Sequence, residues 1–203
     1  KNMTPRLIEH WLPVDALSEE SVRERRSMTA LPPIYYLHVW WARRPLVASR
    51  AAILAALLPH DADRERFLKV LGIHGDPVES RKRIDLARRQ GIRFEGEAYS
   101  YPRAFSYLPS SEDLEWFRYE AGRLDLRAPC VLDPTAGGGS IPFEAIRFGL
   151  PTFANDLNPV AALLERLTIQ APLLHGHSVG REFSRLVVPF LRIREERLQP
   201  YFP

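Results

Sequence analysis

A chain of 203 residues, 45% hydrophobic and 26% charged, can build a core without disulfide staples; a miniprotein, a collagen-like repeat and a long disordered tract are excluded. The longest apolar run, Leu46 to Leu58, is broken by Ser49 and Arg50 and falls short of the ~20 residues that a membrane-spanning helix needs. Arginine carries the formal charge of +3, because lysine occupies only positions 1, 69 and 82, and the basic excess lies in residues 1–59, with eight basic against five acidic side chains. Such a bias suits an anionic partner, although a genome favouring arginine codons explains the same composition. The lone Cys130 allows no internal disulfide and no thiolate metal site, and no apolar leader follows Lys1, Asn2 and Met3. Together these point to a reducing, cytoplasmic setting.

In chain order, Leu7, Ile8, Trp11 and Leu12 recur at helical spacing, and Ser18 with Ser21 reads as a helix start ahead of Val22 to Arg26. Pro32-Pro33 breaks the pattern. Ile34 to Trp41, β-branched and aromatic, suits a short strand or an extended segment, and Pro45 at the first helical position launches a helix over Leu46 to Leu58. Two short amphipathic helices are expected over 62–72 and 77–90, closed by Gly91, then a Tyr-, Pro- and Ser-rich loop over 92–110. Ser110 caps a further helix carrying Leu114, Phe117, Ala121 and Leu124. From Pro129 to Leu132 a short strand runs into a glycine loop. A helix over Ile141 to Phe148, a second strand over Thr152 to Asn155 and a helix from Pro159 to about Ile169 follow. Strand, glycine loop, helix, strand, helix is the opening of an α/β sheet of the doubly wound, Rossmann-like kind. The chain thus divides into an N-terminal region (1–59), a helical connection or insertion (60–128) and the first part of an α/β domain (129–203).

The glycine loop carries the chemistry. In the run Asp133, Pro134, Thr135, Ala136, Gly137, Gly138, Gly139, Ser140, the glycines let a ligand approach the backbone, and Asp156, 23 positions after Asp133, is placed to accept hydrogen bonds from ribose hydroxyls. A nucleoside ligand follows. An acid beside a dinucleotide pyrophosphate would repel it, whereas Asp133 suits the cationic amino-acid end of S-adenosylmethionine (SAM). ATP is disfavoured because no lysine stands beside Gly139-Ser140. The six histidines, His175 and His177 among them, have no cysteine or acid cluster at ligand spacing, so no metal site is expected. His38 reads either as a pocket residue or as packing, and Glu144 as a helix-surface acid.

Asp133 through Ala145 resembles motif I of amino-group DNA methyltransferases, usually written DPFAGGGS, with Thr135 standing where phenylalanine is usual. Asn155, Asp156, Leu157, Asn158 and Pro159 resemble their motif II. The run Trp40-Trp41-Ala42-Arg43-Arg44-Pro45-Leu46 resembles the WWARRPL segment of a family of large adenine-specific DNA methylases, some associated with phage defence. The resemblance spans residues 6–59 and 129 to about 175. It implies a class I methyltransferase fold, SAM as cofactor, and methyl transfer to the exocyclic N6 of adenine in DNA, with defence-system proteins as further partners. It implies cofactor contacts at Asp133 through Ser140 and at Asp156, Leu157 and Asn158. It also implies a motif X role for Trp41, Arg44 and Pro45, with Arg44 pairing with the cofactor carboxylate. Trp40 and Trp41 as core anchors, with Arg43 and Arg44 at a solvated corner, is the other reading of that segment.

The D/N/S-P-P-Y/F/W motif that holds a flipped base for methylation is missing from the sequence. No catalytic residue is therefore assigned, and the catalytic motif and target-recognition region are expected in further polypeptide. An RNA or small-molecule methyltransferase, or a non-catalytic subunit of a defence complex retaining the cofactor fold, stays open from the sequence.

Overall fold

The computed structural model describes residues 4–26, 31–94, 97–126 and 128–202. Its central helix is α3, Leu46–Leu57, built almost wholly of Leu, Ala, Val and Ile. Lacking a polar stripe, it has to be covered on most sides. Before it come α1, Leu7–His10, and α2, Val14–Arg25. Helix α2 begins directly after Pro13, ahead of the expected Ser18–Ser21 start, because proline suits a helix entry. Ile34 to Trp41 forms no strand. A 3₁₀ turn over Pro33–Tyr35 leads into irregular chain, and Pro45 sits just outside α3 at its N-cap.

Pro45 offers no side-chain cap, so the first amide of α3 is satisfied from a distance. The Leu46 N–H donates to both carboxylate oxygens of buried Glu24 on α2 at 3.0 Å. Burial pushes the Glu24 carboxyl up to about 7, against the pull of that amide. An acid whose folded pKa lies above its unfolded value binds more protons folded than unfolded, so its contribution to stability falls as pH rises from about 4.5 through 7. The stability difference between wild type and Glu24→Gln should therefore shift against wild type, by an amount on the order of 2 kcal/mol, from pH 5 to pH 8. Urea titrations at the two pH values check this, and a constant difference would contradict it.

Helices α4, Arg64–Val70, α5, Pro77–Arg89, and α6, Ser111–Gly122, start at Asp63, Asp76 and Ser110, whose side chains accept from first-turn amides. Phe67 of α4 and Phe117 of α6 join Leu7, Leu54, Leu58 and Phe148 in one core, so the 60–128 stretch packs against the rest of the chain. Arg50 of α3, fully buried, pairs through Nε and Nη2 with fully buried Glu144 at 2.7 and 3.2 Å. Its remaining donors reach the carbonyls of Leu71, Ala104 and Tyr107. Glu144 lies on α7, Ser140–Arg147, and is thus the opposite of a surface acid.

The expected Rossmann-like α/β class I methyltransferase fold is not what the chain forms: the protein is mostly helical. Among the described residues the only sheet is the parallel pair β1, Val131–Asp133, and β2, Thr152–Ala154, with Leu132 opposite Phe153. Leu132 and Phe153 remain 67% and 63% exposed, so no helix layer covers that face. After β2 the described chain stays helical. Helix α8, Pro159–Glu165, runs into a π-helical segment, Arg166–Gln170, then α9, Ala171–His175, and α10, Ser178–Leu198. A strand–loop–helix–strand unit is present, but the strand pattern beyond it that a doubly wound sheet requires is replaced by helices. Among the described residues no helix is long and apolar enough to cross a membrane.

Candidate functional site

The glycine loop links β1 to α7, and two left-handed residues shape it: Gly137 at φ 57° and Gly139 at φ 79°, the N-cap of α7. Asp156, past the end of β2, holds the loop. Its Oδ2 accepts the Gly137 N–H and its Oδ1 the Asn158 N–H, both at 2.8 Å, and these bonds keep the carboxyl below the usual carboxylate range. The Ala136 N–H donates to the Asn155 carbonyl at 3.0 Å. Asp133 is buried at the end of β1, accepting the Thr135 N–H at 3.2 Å through Oδ1. Its Oδ2 is buried with no hydrogen-bond partner among the described residues.

The segment before α3 folds over this loop. Trp40, 9% exposed, lies against Gly137 and Gly138, where an added Cβ would come within 2.8 Å of the Trp40 side chain at either glycine. The two glycines thus admit the indole, which also packs on Ala161 and Leu164 of α8. Beside it opens a cleft of about 170 Å³ lined by Trp40, Ala42 and Arg44 from the segment before α3, by Thr135 to Gly138, Ser140 and Ile141 from the loop and α7, and by Asp156. Tyr35 ties the two walls together: its hydroxyl donates to the Arg44 carbonyl at 3.1 Å and lies 3.2 Å from Ser140 Oγ.

Of the residues singled out in the sequence, Thr135 to Gly138, Ser140, Asp156 and Arg44 therefore meet around one cleft, with Asp133 buried at the end of β1 behind the loop. Others do not join them. Trp41 is 86% exposed and faces away, so the tryptophan at the cleft is Trp40. Pro45 caps α3, Pro134 is exposed, and Gly139 is filled against Ile169. Leu157 is 99% exposed, while Asn158 caps α8 by accepting the Val160 N–H. Arg43 turns away from the cleft, its guanidinium 5.1 Å above the Tyr35 ring. His38 is exposed. Sequence reasoning missed Glu165 of α8, which stands beside Gly139 with its Oε1 buried and unpartnered among the described residues. An acid in a helix shows no spacing signal for such a position.

A family described as "Protein of unknown function (DUF1156)" matches residues 11–83, a span that includes Trp40 and Arg44 but not the glycine loop. The chain is also 29% identical over 110 residues to "Nodal homolog" of Homo sapiens, across 53% of this chain and 30% of that protein. It therefore spans less than a third of that relative's length. No solved structure matches the chain.

Proposed function

We propose that this chain is the SAM-binding part of a DNA methyltransferase that acts on the N6 amine of adenine, within a restriction-modification or phage-defence setting. The observation that carries the reading is the cleft itself. Arg44, Thr135 to Gly138, Ser140 and Asp156, far apart in sequence, line the same cleft. The donor set fits the cofactor's polar groups. Arg44 suits the amino-acid carboxylate and the free lone pairs of Asp156 suit ribose hydroxyls, whereas Asp133 lies buried behind the loop and outside the cleft. The cleft beside Trp40 holds only part of such a ligand, so the indole must shift to admit the rest. When bound, SAM supplies an electrophilic methyl group, and the residues named here orient it and exclude water.

Arg44 and Arg43 separate a ligand role from a structural one. Arg44→Ala should weaken SAM binding about tenfold and leave the apo melting temperature nearly unchanged. Arg43→Ala, which removes the stacking on Tyr35, should do the reverse. Calorimetric titration and thermal melts of both variants check this, and unchanged affinity in Arg44→Ala would remove the segment from the binding site.

A further inference from the structure

A larger cavity, of about 810 Å³, shares no lining residue with the cleft. Neighbours in sequence part between the two. The Tyr35 hydroxyl reaches Arg44 and Ser140 at the cleft, whereas Tyr36 lines the cavity and is 70% exposed. On α7, Ser140 and Ile141 line the cleft, and Phe143 and Arg147 the cavity. The volume lies within the roughly 300–1,000 Å³ of sites that enclose small ligands, and the walls set guanidinium planes against aromatic rings. The Arg23 guanidinium stands 3.9 Å from the centre of the Tyr99 ring and 5.1 Å from that of Tyr101, and the Arg147 guanidinium 5.5 Å from that of Phe143. Both arginines are held in place. Arg23 pairs with Glu20 and donates to the Tyr101 and Pro102 carbonyls, and Arg147 pairs with Glu144 and donates to the Phe105 carbonyl. Arg103 differs from them: it lines the same cavity, forms no ion pair among the described residues, and its Nε is buried without a partner there. A guanidinium donor left unpaired where water is scarce is costly, and an anionic acceptor relieves it. The carboxylate on the cavity wall, Glu97, is exposed and pairs with none of the three arginines.

We propose that this cavity binds a nucleobase carrying a phosphate, the base stacking on the open ring of Tyr36 and the phosphate accepting from Arg103. Flat aromatic faces beside guanidinium planes are the surfaces on which bases stack whatever their identity, and a phosphate is the anion that a free arginine fork holds best. A proline-rich peptide also lies along tyrosines, but it gains nothing from an unpaired arginine. A free nucleotide and an unpaired nucleotide of a nucleic-acid strand present the same chemistry. The assignment stands apart from the cofactor reading of the cleft and does not depend on it.

The test is the binding of two probes to the whole chain: thymidine monophosphate, by calorimetry, and a fluorescent single-stranded oligothymidylate of about ten nucleotides, by anisotropy. Thymine is no part of SAM, so neither probe is a fragment of the cofactor. Tyr36→Ala should weaken binding about tenfold and leave the melting temperature unchanged, because the ring it removes is exposed. Arg103→Gln should flatten the fall of log affinity with log salt for the oligothymidylate by about 0.7, the share of one phosphate contact on a single strand, which a purely structural arginine would not do. Tyr119→Ala, which removes an exposed ring on α6 outside the cavity, should bind as wild type does. Tighter binding of the oligothymidylate assigns the cavity to a strand, and equal affinity for the two probes assigns it to a free nucleotide. If neither probe binds the wild type, or if Tyr36→Ala binds as wild type does, the proposal is overturned. It is overturned too if a proline-rich peptide binds in their place and loses affinity in Tyr36→Ala.

Discussion

Arg50→Met is expected to destabilise the protein by about 3–5 kcal/mol, the loss typical of stripping one partner from a buried ion pair. The side chain is fully enclosed, and its removal strands Glu144, leaving it only the Arg147 guanidinium at 2.7 Å. It also leaves the Leu71 and Ala104 carbonyls without the donors that Arg50 provides. Glu144 and the glycine loop are joined through α7, so the same ion pair fixes the floor of the cleft to α3. Arg50→Lys keeps the charge but cannot span both Glu144 oxygens and the carbonyls with a single nitrogen, and should recover only part of the loss. Removing both partners, in Arg50→Met with Glu144→Met, should cost less than the sum of the single losses, because Glu144 is then not left facing an apolar partner, and the loss of the Arg147 pair is common to the single and double Glu144 variants. Urea denaturation of wild type, Arg50→Met, Glu144→Met and the double variant measures this, and strictly additive losses would contradict the coupling.

Asp156→Ala is expected to lower SAM affinity by about ten- to a hundredfold, through two effects that act together. The variant loses the acceptors that face the cleft, and the Gly137 N–H loses the carboxylate that fixes the left-handed turn. Asp156→Asn retains one carbonyl acceptor and should fall between wild type and Asp156→Ala. Equal affinity in wild type and Asp156→Ala would show that the ribose does not lie on this residue.

Local signals in the sequence carried a good part of the fold. The cap at Ser110, the largely apolar α3, and the strand–glycine loop–helix–strand unit from Val131 to Ala154 all stand close to where their patterns placed them. Each depends on residues adjacent in the chain. What was not legible depends on partners far away. Nothing in a run of leucines and alanines reveals that Arg50 is buried, because its partner Glu144 lies 94 positions downstream. The cap of α3 comes from Glu24, 22 positions upstream on another helix, and leaves no local signal either. In the irregular segment after Tyr35 no periodicity tells Trp40 from Trp41, and only packing on Gly137 and Gly138 selects the first. The larger departure is the sheet. Two strands of three residues satisfy the opening pattern of an α/β fold, but helices follow them through α10. The amphipathic spacing of Phe183, Leu186, Phe190 and Ile193 is a helical signal that the sequence reading did not take up, and those side chains remain exposed.

The most direct test of the account is ultraviolet crosslinking of tritium-labelled SAM to the wild-type chain, with the labelled peptides mapped and excess unlabelled S-adenosylhomocysteine as competitor. The account predicts saturable, competable label on peptides containing Trp40 to Arg44 and Thr135 to Ser140. Label confined to other peptides, or label that unlabelled ligand does not displace, would contradict it.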